Sequence, residues 1–177
     1  MITNSPPLTK KGLKKFNQVE AQGWIINSAI KIEEYLNYII FQYFDPKRPK
    51  LFKSHVLNSS IMSFGSKLKV LNAILGYSKE ANSIISKIQK IAAIRNAFAH
   101  NNSKHSMKFN LDNNGEGKTK LWTEDIINVM NSQGKIIAKN SFEYMIEFLE
   151  LYKEVEPILK RILEDMVNLA KSQNEKA

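Results

Sequence analysis

Apolar residues recur at steps of three and four along both ends of this chain, and no other feature constrains its fold as much. From Leu13 to Phe44 the pattern runs through Phe16, Val19, Trp24, Ile26, Ala29, Ile30, Ile32, Leu36, Ile39, Ile40 and Tyr43. From Ser141, taken as the cap, it resumes through Phe142, Met145, Phe148, Leu149, Tyr152, Val155, Leu159, Ile162, Leu163, Met166 and Leu169. Strand side chains alternate with a period of two, so this spacing specifies long amphipathic helices. The first is expected to bend near Gly23 and the last to kink at Pro157, where a backbone donor is missing.

Two shorter helices are predicted between these. Asp45-Pro46-Lys47-Arg48-Pro49 ends the first long helix, because each proline lacks an N–H and forces its predecessor into an extended conformation. A helical turn is expected within Leu51 to Leu57. Hydroxyls from Ser59 to Ser63 offer N-caps for a helix carrying Phe64, Leu68, Leu71, Ile74 and Leu75, which Gly76 can terminate. Ser78 can cap the next, which carries Ile84, Ile85, Ile88, Ile91, Ile94 and Phe98 before Asn101 and Asn102.

Residues 106–139 read differently. Met107, Phe109 and Leu111 alternate with polar residues, Asn113-Asn114-Gly115 has turn chemistry, and Lys118 to Trp122 can return as a second strand. Thr123 to Met130 is expected to form a short extra helix, and Gly134 to Ile137 is weakly strand-like. The predicted architecture is one all-α domain over residues 1–177: an antiparallel bundle with a β-hairpin appendage, a flexible N-terminus over 1–12 and a frayed tail over 171–177.

The net charge is +9, from 26 Lys and Arg against 17 Asp and Glu, and most basic residues are lysines spread along the chain. Such a field suits a polyanion without choosing between nucleic acid, acidic protein and anionic lipid. Cysteine is absent, which excludes disulfides, thiolate metal sites and cysteine nucleophiles. No signal-peptide pattern opens the chain and no apolar run approaches bilayer length, so a cytoplasmic protein with no membrane partner is expected.

The isoleucine-rich helix before the hairpin ends in Arg95-Asn96-Ala97-Phe98-Ala99-His100. At about 100° per residue Asn96 and His100 share a face, whereas Arg95 lies about 140° around from His100, so one helix does not bring those two together. Two copies meeting near a twofold axis would. The suited chemistry is RNA cleavage without metal or cofactor. Imidazole exchanges protons near neutral pH with a ribose 2'-hydroxyl or a departing 5'-oxygen. A guanidinium holds phosphate bidentately, and Asn96 can orient either group. The structural alternative is simpler: Arg and His near a helix C-terminus satisfy orphan carbonyls and oppose the macrodipole.

Ile94-Arg95-Asn96-Ala97-Phe98-Ala99-His100 resembles the arginine, polar residue, variable stretch and histidine motif of the HEPN superfamily. That resemblance implies an all-helical domain and a metal-independent endoribonuclease of toxin or defence type. Its composite site would form in a homodimer, with Arg95, Asn96 and His100 catalytic, RNA as substrate and an antitoxin or regulatory protein as a further partner. A second resemblance covers more of the chain. Ser63-Phe64-Gly65-Ser66-Lys67-Leu68-Lys69-Val70, then Ile74-Leu75-Gly76 and the Arg95 segment, are similar to the mannitol operon repressor family. This implies a non-catalytic transcriptional regulator or interaction protein, in which the same residues fix a helix end and a dimer contact.

Lys67, Lys69, Asn101 and Lys104 are the candidate nucleic-acid contacts, with ordinary solvated surface as the alternative. His55 and His105 lack partners at ligand spacing and read as surface residues. Glu33 or Glu34 can face the Arg95 cluster or solvent. Trp24 reads as core, and Trp122 as a possible stacking platform for bases.

Overall fold

The computed structural model describes residues 17–100, 104–110, 120–130 and 135–174. The expected flexible start over 1–12, the helix caps Asn101 and Asn102, the Asn113-Asn114-Gly115 turn and residues 175–177 lie outside the described residues. In chain order the elements are α1 (Gln18–Phe44), a helical turn α2 (Pro49–Leu51) that widens into a π-helical turn over Phe52–Val56, α3 (Phe64–Ile74), α4 (Lys79–His100), β1 (Lys104–Asn110), β2 (Lys120–Met130), β3 (Ile136–Asn140) and α5 (Ser141–Asn174). Most described residues are helical, beside one small antiparallel sheet. No described helix is long and apolar enough to cross a membrane.

Residue contacts divide the chain into two compact units, residues 1–26 with 93–149 and residues 27–92 with 150–177. In the second unit the core comes from the periodic positions, with Ile32, Leu36, Ile39, Leu71, Ile88, Val155 and Leu159 all without measurable exposure. Local chemistry sets the helix ends. The Ser63 hydroxyl accepts from the Ser66 backbone N–H at 3.2 Å at the start of α3. At its other end Gly76 takes φ +69°, its N–H donates to the Ala73 carbonyl and that of Tyr77 to the Asn72 carbonyl, a Schellman closure. The Ser78 hydroxyl then caps α4 by accepting from the Ala81 N–H at 3.0 Å. α1 passes unbroken through Gly23, and α5 runs through Pro157, which is exposed.

Lys67 departs from its expected role. It is fully buried, and its Nζ lies 2.6 Å from Glu33 Oε1, which also accepts from the Ser59 hydroxyl at 3.0 Å. A lysine sealed inside a protein with a carboxylate cannot reach a polyanion, so Lys67 is corrected from a surface contact to a structural ion pair. The same geometry gives Glu33 a partner, since its carboxylate holds Lys67. Lys69, two residues on, faces the opposite way and is exposed. His55 is exposed beside the Ser54 hydroxyl at 2.7 Å, as a surface residue should be.

In the first unit Ile25, Ile94, Phe98, Met145 and Phe148 form the buried set, with Trp24 packed edge-on against Phe148 at 5.7 Å between ring centroids. The hairpin expectation holds for the backbone: β1 pairs antiparallel with β2 from Lys104 opposite Ile126 to Asn110 opposite Lys120. The sheet goes further than a hairpin, because β3 pairs along the other edge of β2, from Ile126 opposite Asn140 to Met130 opposite Ile136. Thr123 to Met130 is therefore strand, not the expected helix. Its β-branched residues Thr123, Ile126, Ile127 and Val129 favour an extended backbone, and β1 pairs with it as far as Ile126 while β3 pairs from Ile126 to Met130. Ile127 is fully buried.

The expected cap of α5 also moves by one residue. Asn140 Oδ1 accepts from the N–H groups of Phe142 and Glu143 at 2.9 and 3.1 Å, while the buried Ser141 hydroxyl donates to the Asp125 carbonyl of β2 at 2.9 Å. Asn140 is the N-cap and Ser141 the tie to the sheet. Asn140→Ala is expected to cost about 1 kcal/mol, read as a lower midpoint in denaturant with unchanged slope.

Candidate functional site at the end of α4

Helical geometry puts Ala93, Asn96, Ala97 and His100 on one face of α4, each three or four residues from its neighbour. These four residues form one side of a cavity of about 460 Å³, and Asn128 and Val129 of β2 with Ile136 of β3 form the other. The cavity thus lies wholly within the first unit, between a helix end and two strands. Its volume is within the ~300–1,000 Å³ common to small-molecule sites.

Most of the lining is aliphatic, with polar groups at Asn96, His100 and Asn128. Asn96 and His100 are exposed, so both amide and imidazole can meet a solute, whereas Ala97 is buried against the floor. Phe98 points the other way into the core, stacked on Tyr144 at 6.4 Å between centroids. Burial, aided by the Glu147 carboxylate, raises the Tyr144 phenol above its ordinary ionisation range. That ring stays neutral and also carries the Lys139 ammonium over its face at 4.3 Å. Alternation of inward and outward residues along this last stretch of α4 presents His100 and Asn96 on a rigid support.

Arg95 is half-buried and does not line the cavity. Asn96 and His100, one helical turn apart, line the same cavity. Asn101 lies outside the described residues, as do the side chains of Lys104, His105 and Trp122. Lys69 belongs to the second unit and is not among the residues that line this cavity.

Five lining residues were not candidates in the sequence: Ala93, Ala97, Asn128, Val129 and Ile136. The signal for Ala93 was available, since a small residue three positions before Asn96 shares its face. Asn128 was hidden by the helical reading of residues 123–130, which gave it a different neighbour set. Ile136 is 64% exposed, although apolar, and stands at the cavity wall.

Compared with known proteins, the chain matches no family model, no curated protein and no solved structure.

Proposed function

We propose that this chain is a HEPN-like, metal-independent endoribonuclease of toxin or defence type, with a composite site built from two copies. The observation that carries the reading is the exposed Asn96 and His100 pair at the end of α4, opening on a cavity large enough for part of a nucleic-acid strand. A general acid or base must be reachable by the proton it moves, and His100 is. The separation of Arg95 from this cavity supports the second copy, since a twofold-related α4 would supply the missing guanidinium. The +9 charge adds a field that concentrates RNA.

In this mechanism one imidazole takes the proton of the ribose 2'-hydroxyl while its oxygen attacks the adjacent phosphorus. The bond to the 5'-oxygen breaks, and that oxygen receives a proton from solvent or from the imidazole of the partner copy. Products carry a 2',3'-cyclic phosphate and a 5'-hydroxyl. Arg95 would hold the non-bridging oxygens as negative charge grows on them, and Asn96 would orient the phosphate by hydrogen bonding.

The direct test is incubation of the full chain with single-stranded RNA in excess EDTA, followed by analysis of the ends. Cutting that leaves cyclic phosphates is the expected result. Mixing Arg95→Ala with His100→Ala protein is expected to restore part of the cutting that neither shows alone, because a mixed dimer retains one arginine and one histidine. Absence of cutting, with His100→Ala altering only melting or dimerisation, would replace this reading with the non-catalytic regulator.

A further inference from the structure

The corner where α1 gives way to α2, within the second unit, leaves aromatic rings uncovered that a core would have buried. Tyr38, Tyr43 and Phe44 are 50%, 55% and 54% exposed. The rings form one connected group: Tyr43 meets Phe44 edge-on at 5.4 Å between centroids, Phe44 meets Phe52 at 6.2 Å, and Phe52 meets Phe41 at 6.3 Å. The Lys53 ammonium lies over Phe41 at 4.3 Å and over Tyr38 at 5.3 Å. The contact between Phe44 and Phe52 also closes the loop that carries Lys47, Arg48 and Lys50, so these exposed cations stay within a few residues of the rings. Asp45 is the one carboxylate in that loop. None of the four cations is ion-paired with a described carboxylate.

We propose that this corner binds single-stranded nucleic acid, with bases stacking on Tyr43 and Phe44 and phosphates drawn by Lys47, Arg48, Lys50 and Lys53. Aromatic rings beside a run of cations hold single strands without reading sequence, since every base has a π-face and every nucleotide a negative charge. A duplex keeps its bases stacked on one another and engages the cations alone. A second copy is a poor occupant, because an isologous contact here would set like charges against one another. A bilayer is a poor one as well: rings that are about half covered do not project as far as insertion into the acyl boundary requires. Binding at this corner does not depend on the ribonuclease reading. Where that reading holds, the corner is a second grip on the strand besides the α4 cavity.

Fluorescence anisotropy of a labelled single-stranded oligothymidylate, titrated with the full chain over a range of salt, tests this. The probe lacks the 2'-hydroxyl that the proposed cleavage needs, so it reports binding alone. The single strand is expected to bind more tightly than a duplex of the same length, and Tyr43→Ala or Phe44→Ala to weaken it about tenfold, as loss of one stacking ring does. Replacing Lys47, Arg48 and Lys50 together with glutamine is expected to lower the slope of log affinity against log salt by about 2, since each phosphate contact on a single strand contributes about 0.7. All three are exposed, so this variant keeps its fold even should Phe44→Ala not. Glutamine at Lys79, Lys90 and Lys153, also exposed, makes the same change of charge elsewhere in the second unit and should leave the slope nearly as it was. An equal loss in the two triple variants, equal affinity for the duplex, or binding to phosphatidylglycerol vesicles and not to the oligonucleotide would overturn the proposal. Binding with these properties by a protein that cuts no RNA upholds it and discards the ribonuclease reading. RNA cutting by a protein whose oligonucleotide binding none of these substitutions alters discards it and leaves the ribonuclease reading in place.

Discussion

Replacing His100 with alanine is expected to slow RNA cleavage by about 10²–10⁴-fold, the range a positioned general acid or base supplies. His100 is the last residue of α4 and is exposed, so its loss removes no core packing. The far-UV spectrum should be unchanged and the melting temperature should shift by only a few degrees. A group needed only in the transition state lowers kcat with little effect on KM, and that split distinguishes chemistry from binding. Arg95→Ala should also stop cutting, and Arg95→Lys should rescue it poorly, because a lysine has charge without the bidentate fork. A His100→Ala protein that cuts at the parental rate would remove the imidazole from the mechanism.

Lys67→Met is expected to cost about 3 kcal/mol, which for a chain of this size is roughly 6–12 °C of melting temperature. The methionine preserves most of the side-chain volume, so the loss reports the ion pair and not a cavity. The Glu33 side chain is 20% exposed and still accepts from the Ser59 hydroxyl, which is why the lower end of the usual range for a broken buried pair applies. Adding Glu33→Gln should recover part of the loss, since a neutral amide can keep the Ser59 bond without an unpaired charge. Lys69→Ala, at an exposed position, serves as the contrast and should change stability by less than about 0.5 kcal/mol. If Lys67→Met melts with the parent, the ion pair does not stabilise the fold.

These two residues show how differently the sequence exposes its contents. His100 was legible because helical periodicity alone says which residues share its face, and that periodicity runs without interruption from Ile84 to Phe98. Lys67 was not, because its own stripe marks it only as a position next to Leu68; that it turns inward depends on Glu33, 34 positions earlier. The caps at Ser63 and Ser78 and the stop at Gly76 were readable from chemistry within a few residues. At the sheet the same logic failed, since an eight-residue segment with two adjacent apolar pairs fits a helix or a strand until its neighbours are known. β1 supplies the neighbour up to Ile126 and β3 beyond it, and without them neither the strand at Thr123 to Met130 nor the place of Asn128 at the cavity could be read. The one-residue error at Ser141 has a similar origin: two adjacent residues both have capping chemistry, and a carbonyl 16 positions away claims one of them.

The passage from β3 into α5 occurs with no intervening loop, Asn140 closing the strand and Ser141 beginning the helix. Such a joint has no slack. Each residue inserted there would turn the helix by about 100° about its own axis relative to the strand. The two elements therefore work as a keyed coupling, in which the angular setting of the α5 start and the seating of the β2 backbone at Asp125 are fixed by the same pair of side chains.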